Sequence, residues 1–135
     1  MAARSNQNLT NAQTETFRVV TGNVSRGMLG KFGAADDEVA PAAAGEQGFC
    51  VFLEDAVVGA MTTVVLLAGA CIVPVKVGTG GATRGKHAVA VSNGFTDITP
   101  GGGTVAKYTN GVFMQTGVAG DFVGMIPLAV PTVTA

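Results

Sequence analysis

A chain of 135 residues is long enough for one domain, or two very small ones. Hydrophobic residues make up 47% and charged residues only 13%, which excludes a disordered chain; a formal net charge of −1 with no basic patch excludes nucleic-acid binding by phosphate neutralisation. Twenty glycines among many valines, threonines and alanines favour short strands joined by tight turns over helices.

Residues 1–16, MAARSNQNLTNAQTET, are polar, with Leu9 the only sizeable apolar side chain. They hold no apolar stretch of the kind a secretory signal needs, so the chain is expected to be made in a cytoplasm with its thiols reduced. The segment reads either as a loose terminus or as an extended arm that orders along a partner's sheet edge. In the second case Arg4, Leu9 and Phe17 are the candidate contacts.

From Phe17 onward the pattern is that of strands. Strands are predicted over 17–21 and 28–32, separated by the glycine and Arg26-Gly27 connection. The cluster Asp36-Asp37-Glu38 lacks the alternating oxygen ligands and closing glutamate of a calcium loop and reads as a solvated acidic loop. Ala42-Ala43-Ala44 after Pro41 suggests one helical turn closed by Gly45. A third strand over 49–53, a tight turn over 54–60 and a fourth strand over 62–67 follow. Residues 56–75, AVVGAMTTVVLLAGACIVPV, carry no charge and match the length of a membrane span. Gly59, Gly69, Pro74, many β-branched residues and the lack of a basic flank argue instead for a turn and two buried strands around Ala68-Gly69-Ala70. Cys50 and Cys71 lie in apolar surroundings and read as buried free thiols, being too few for a disulfide framework or a zinc site.

In the second half, strands are predicted over 71–77, 87–91, 112–115 and 123–130, with a tight turn over 116–121 and turn signals at Asn93-Gly94 and Asn110-Gly111. Residues 80–87, GGATRGKH, imitate a phosphate-binding loop, but His87 replaces the hydroxyl that would ligate magnesium, and HAVAV continues as a strand where the chemistry needs a helix N-terminus. His87 is the single histidine and has no nucleophile or orienting carboxylate at a recognisable spacing. Tyr108 with Asn110 is the one pairing that suits a glycan. No catalytic, cofactor-binding or metal-ligating set is expected.

The chain contains itself twice. RVVTGNVSRG (18–27) returns as KVGTGGATRG (76–85), and VFLEDAVVGAMTTVVLL (51–67) returns as VFMQTGVAGDFVGMIPL (112–128). The offsets are 58 and 61 residues, so a loop in the second copy is longer. The copies span about 17–70 and 71–130. The repeat weighs against a membrane span, because the counterpart of 56–67 carries Asp121 and Pro127. Arg26 and Arg84 recur at the same turn, either to fix the turn against carbonyls or a carboxylate such as Asp97, or to contact a partner. The fold expected is all-β: a small β-barrel or two-sheet sandwich of about eight short strands built from an internal repeat, with an extended N-terminal arm.

Together, the paired V-F-L-E-D-A-V-V-G and V-F-M-Q-T-G-V-A-G segments, each preceded by a G-x-x-[ST]-R-G approach, resemble the small duplicated β-domains of tailed-bacteriophage capsid decoration (cement) proteins. The resemblance covers about residues 17–130 and rests on the order of the blocks, the duplication and the total length. It implies a non-enzymatic virion protein on the exterior of an icosahedral head, homo-oligomeric (trimeric by preference), with the major capsid protein as partner and no membrane or nucleic-acid target. Neighbouring capsid subunits would be cemented against the pressure of packaged DNA. The alternative is another β-structured virion part, a head fibre base or a host-surface glycan binder.

Overall fold

The computed structural model describes residues 12–68, 71–98 and 106–134, and these form ten strands with no helix among them. The first five are β1 (Thr14–Val19), β2 (Leu29–Phe32), β3 (Glu38–Pro41), β4 (Cys50–Phe52) and β5 (Met61–Leu66). They close into a barrel in the order β1-β3-β2-β4-β5, with β5 returning antiparallel to β1. A parallel pairing of β1 with β3, Val19 opposite Val39, completes the ring.

The remaining strands are β6 (Val73–Lys76), β7 (His87–Val91), β8 (Gly94–Asp97), β9 (Ala106–Phe113) and β10 (Phe122–Thr134), in the order β6-β10-β9-β7-β8. This is the order of the first barrel, strand for strand. Val77 bridges Phe95 in parallel, as Val19 pairs with Val39, so the second sheet curls along the same path. Register repeats as well. Leu29 opposite Val51 becomes His87 opposite Val112, and Phe52 opposite Val64 becomes Phe113 opposite Met125. The turn bridge Val24–Ala56 becomes Ala82–Gly117. Turn chemistry is copied with it: Gly27 and Gly85 have φ of 82° and 85°, in the left-handed region where a side chain is strained.

Two strands escape the sequence pattern. Both β3 (EVAP) and β8 (GFTD) are four residues long, with little alternation, and they begin at an acidic cluster and at a turn-type glycine. Asn110-Gly111, expected to turn, lies inside β9. Gly111 is there because a Cβ would come within 2.4 Å of the Ile126 carbonyl oxygen, so its small size serves close strand approach and not reversal. No helical segment forms after Pro41; residues 42–48 make a loop with a turn at Ala44 and Gly45, closed by Glu46 N donating to Ala43 O at 3.1 Å. β1 starts at Thr14, ahead of the expected Phe17. The expected corner at Gly69-Ala70 and the glycines Gly101-Gly102-Gly103 lie outside the described residues.

Alternation sorts each strand of the first barrel into two faces. Val19, Val24, Val39, Cys50, Phe52 and Val64 fill the barrel interior. The outward residues Leu29, Val51 and Val65 are buried too, in a second cluster with Val73, Val75, Phe95, Phe113 and Met125 of the other unit. Each such side chain contributes about 2 kcal/mol on burial, so the seam between the units is itself core. Backbone contacts lock it. Lys76 N donates to Gly27 O at 3.0 Å, Gly45 N to Ala90 O at 2.9 Å, and Tyr108 N to Gly45 O at 3.0 Å. The charge-free run 56–75 therefore resolves into a turn, β5 and the start of β6, and no helix of the described residues is long and apolar enough to cross a membrane.

Candidate interaction surface

Three surface features stand out, and each follows from the barrel geometry. The first is aromatic. Phe17 on β1, Phe32 at the end of β2 and Phe49 just before β4 meet at one end of the first barrel. Phe32 stacks on Phe49 with centroids 3.8 Å apart, and Phe17 meets Phe49 edge-on at 5.5 Å. Beside them runs a groove of about 420 Å³ lined by Phe17, Phe32, Phe49, Leu66 and Leu67. Their counterparts in the second unit are Val75, Ala90 and Asn110, all buried, and there loop 42–48 covers the same end. Asn110 Oδ1 accepts from Gly48 N at 3.2 Å.

The second feature is a pair of matching tips. The turns between β4 and β5 and between β9 and β10 expose Val57 and Val58, and Val118. Hydrogen bonds fix both turns: Ala60 N to Val57 O and Asp121 N to Val118 O, each at 3.0 Å, with Gly59 N to Val19 O and Gly120 N to Val77 O behind them. The Asn23 side chain accepts from Val58 N, and the Asp121 carboxylate accepts from Val118 N. An apolar side chain held out on a rigid turn loses little entropy when a partner covers it.

The third is the repeated Arg-Gly turn, where the two copies part company. Arg26 sits 4.6 Å over the ring of Phe122, across the seam, while its backbone N–H donates to Asp55 at 2.8 Å. Arg84 is exposed and its backbone N–H donates to Thr116 Oγ1 at 3.2 Å. Asp97 accepts from Thr83 N at 2.8 Å, so the carboxylate braces that turn through the backbone and not through the Arg84 guanidinium. Arg4 and Leu9 lie outside the described residues. Of the five candidate contacts, then, Phe17 joins the aromatic end, and Arg26 and Arg84 are both exposed, Arg26 lying across the seam on Phe122.

Several polar groups brace the fold, whereas His87 Nδ1 is buried without a hydrogen-bond partner. Glu54 accepts from Thr62 Oγ1 and Thr63 N, and Asp55 from Arg26 N, so both carboxylates brace turns. The Glu46 carboxyl is held below its ordinary value by the Ala43 N–H and by Lys31. Burial pushes the Cys50 thiol up to about 12, far from a reactive thiolate. Residues 80–87 run from a turn straight into β7, as HAVAV indicated. Phe32, Phe49, Val57 and Val118 were not singled out from the sequence. The repeated A/G-V-x-G turn was the available signal for the valines; nothing local marks Phe32 as exposed or Phe49 as its half-buried stacking partner.

No family model matches the chain, and no curated protein matches it by sequence. By structure it is similar to the N base of head fiber gp8.5 of bacteriophage phi29, with a TM-score of 0.66 and 20% sequence identity, over 87% of this chain and 94% of that one. The two proteins share a fold.

Proposed function

We propose that this chain is a non-enzymatic structural component of a bacteriophage virion, seated on the exterior of the head as the base of a head fibre. The observation that carries this reading is the fold shared with the phi29 head fiber base over nearly the whole of both chains. The molecule's own physics supports it. A barrel and a second, curled sheet joined through a common dry core make a rigid block, and the apolar groups left outside it sit on braced turns, at one barrel end and on strands β5 and β10. The proposed partners are the major capsid protein and further copies of the same chain, in a trimer.

A second reading, a cement protein that bridges neighbouring capsid subunits across the lattice, is favoured by the two like valine tips on one chain. Equivalent tips suit equivalent sites on a symmetric shell, where repetition supplies avidity. Quantitative mass spectrometry of purified particles separates the readings. A copy number well below that of the major capsid protein supports the fibre base, near parity with it supports the cement, and absence from particles overturns both.

A further inference from the structure

We propose that copies of this chain associate head to tail, repeating between molecules the contact that joins the two barrels within one. The inference gives faces to the self-association of the preceding reading, but it rests on the internal duplication alone, so absence from virions would leave it standing.

The internal contact joins two different faces. The first barrel offers Leu29, Val51 and Val65 with the Arg26-Gly27 turn; the second receives them with Lys76, Phe122, Ala90 and Asn110. Because the barrels are copies, each face has a counterpart that the internal contact leaves unused. The counterparts of Leu29, Val51 and Val65 are His87, Val112 and Ile126, at the same register on β7, β9 and β10, with Leu128 beyond Ile126 as Leu67 lies beyond Val65. His87 puts an imidazole where Leu29 stood, but Val112, Ile126 and Leu128 have stayed apolar, and Ile126 is 41% and Leu128 46% exposed. Arg84-Gly85 repeats Arg26-Gly27, but where a Cβ on Gly27 would come within 2.6 Å of Lys76 N, one on Gly85 meets nothing within 4 Å.

The unused receiving face is on the first barrel. Met61 takes the position of Phe122 and is 57% exposed; Phe32 takes that of Ala90 and is 69% exposed. One difference shapes the fit. Residues 33–37 join β2 to β3, whereas only residues 92–93 join β7 to β8. The shorter connection leaves Lys76 N to Gly27, while the longer one bonds Arg18 N to Asp37 O at 2.7 Å. An incoming Arg84 therefore meets Met61 and the acidic residues 36–38, of which Arg18 engages Asp37 and Glu38 and leaves Asp36. The receiving face is apolar with an acidic rim, and the incoming face apolar with a basic one. A contact between unlike faces is heterologous, and a ring of such contacts closes without isologous pairing.

Sedimentation and light scattering of the full chain test this. The parent is expected to form a closed oligomer, and Phe32→Asp and Ile126→Asp to be monomers with the parent's far-UV spectrum. Mixed one to one, the two variants retain one intact junction and are expected to form a dimer and nothing larger. Arg84→Glu, in an exposed turn that does not endanger folding, is expected to weaken assembly at least tenfold at low salt. A monomeric parent at about 50 µM, a mixture that stays monomeric, or a full-sized oligomer from either aspartate variant alone overturns the proposal.

Discussion

At Gly27 and Gly85 the same residue in the same backbone conformation does two jobs. Both need φ near +80°, where alanine costs about 1 kcal/mol, but only Gly27 is pressed against the backbone of the other unit. Gly85→Ala is therefore expected to lower stability by about 1 kcal/mol, and Gly27→Ala by a further 1–3 kcal/mol or so from forced displacement at the seam, as read by denaturant unfolding. The arginines divide in the same way. Arg26→Ala is expected to cost about 0.5–1 kcal/mol through its lost contact with Phe122, and Arg84→Ala to leave the melt unchanged. Cys50 adds a pH dependence. Its thiol is raised from 9.0 to about 12 in the folded protein, so the folded state holds the proton that the unfolded chain releases first. Stability is full below pH 9 and falls as the pH climbs toward about 12; Cys50→Ala is expected to flatten that slope in alkaline melts.

Among the elements, the strands that could be read from sequence were those with a long apolar alternation or a β-branched run, such as β5, β6 and β7. Both β3 and β8 were missed because each is held by its neighbours and not by its own composition: Val39 and Phe95 are buried only because the parallel closure brings them under β1 and beside Val77. The tips were half legible. Their repeated valine and glycine were visible as sequence, but their outward aim is set by the hydrogen bonds from Val19 and Val77. Replacing Val57 and Val118 together with Asp leaves those bonds in place. The double variant is expected to melt within about 0.5 kcal/mol of the parent and to lose at least tenfold in particle occupancy, measured by competition with the parent protein during attachment.

Because the outward face of the first barrel is interior to the pair, the whole molecule is expected to unfold as one unit. A chain ending at residue 68 would expose Leu29, Val51 and Val65 together, a deficit of about 6 kcal/mol against a typical total stability of 5–15 kcal/mol. It is expected to be unfolded or aggregated by circular dichroism and light scattering, whereas the full chain melts in a single transition.

The sequence by itself determined the duplication, the all-β class and the turns, since these rest on local sterics and on a period of two that any reader of the chain can count. It also placed an apolar residue at the outward position of both copies, Val51 and Val112, Val65 and Ile126. Which of these faces becomes core was decided only in three dimensions. The alternation of Val51 and Val65 recurs at Val112 and Ile126, and only Leu29, replaced by His87, sets the copies apart. The Lys76 N–Gly27 O bond, made where the β7–β8 connection is short, goes with burial of the first copy's face, while Ile126 of the second stays exposed.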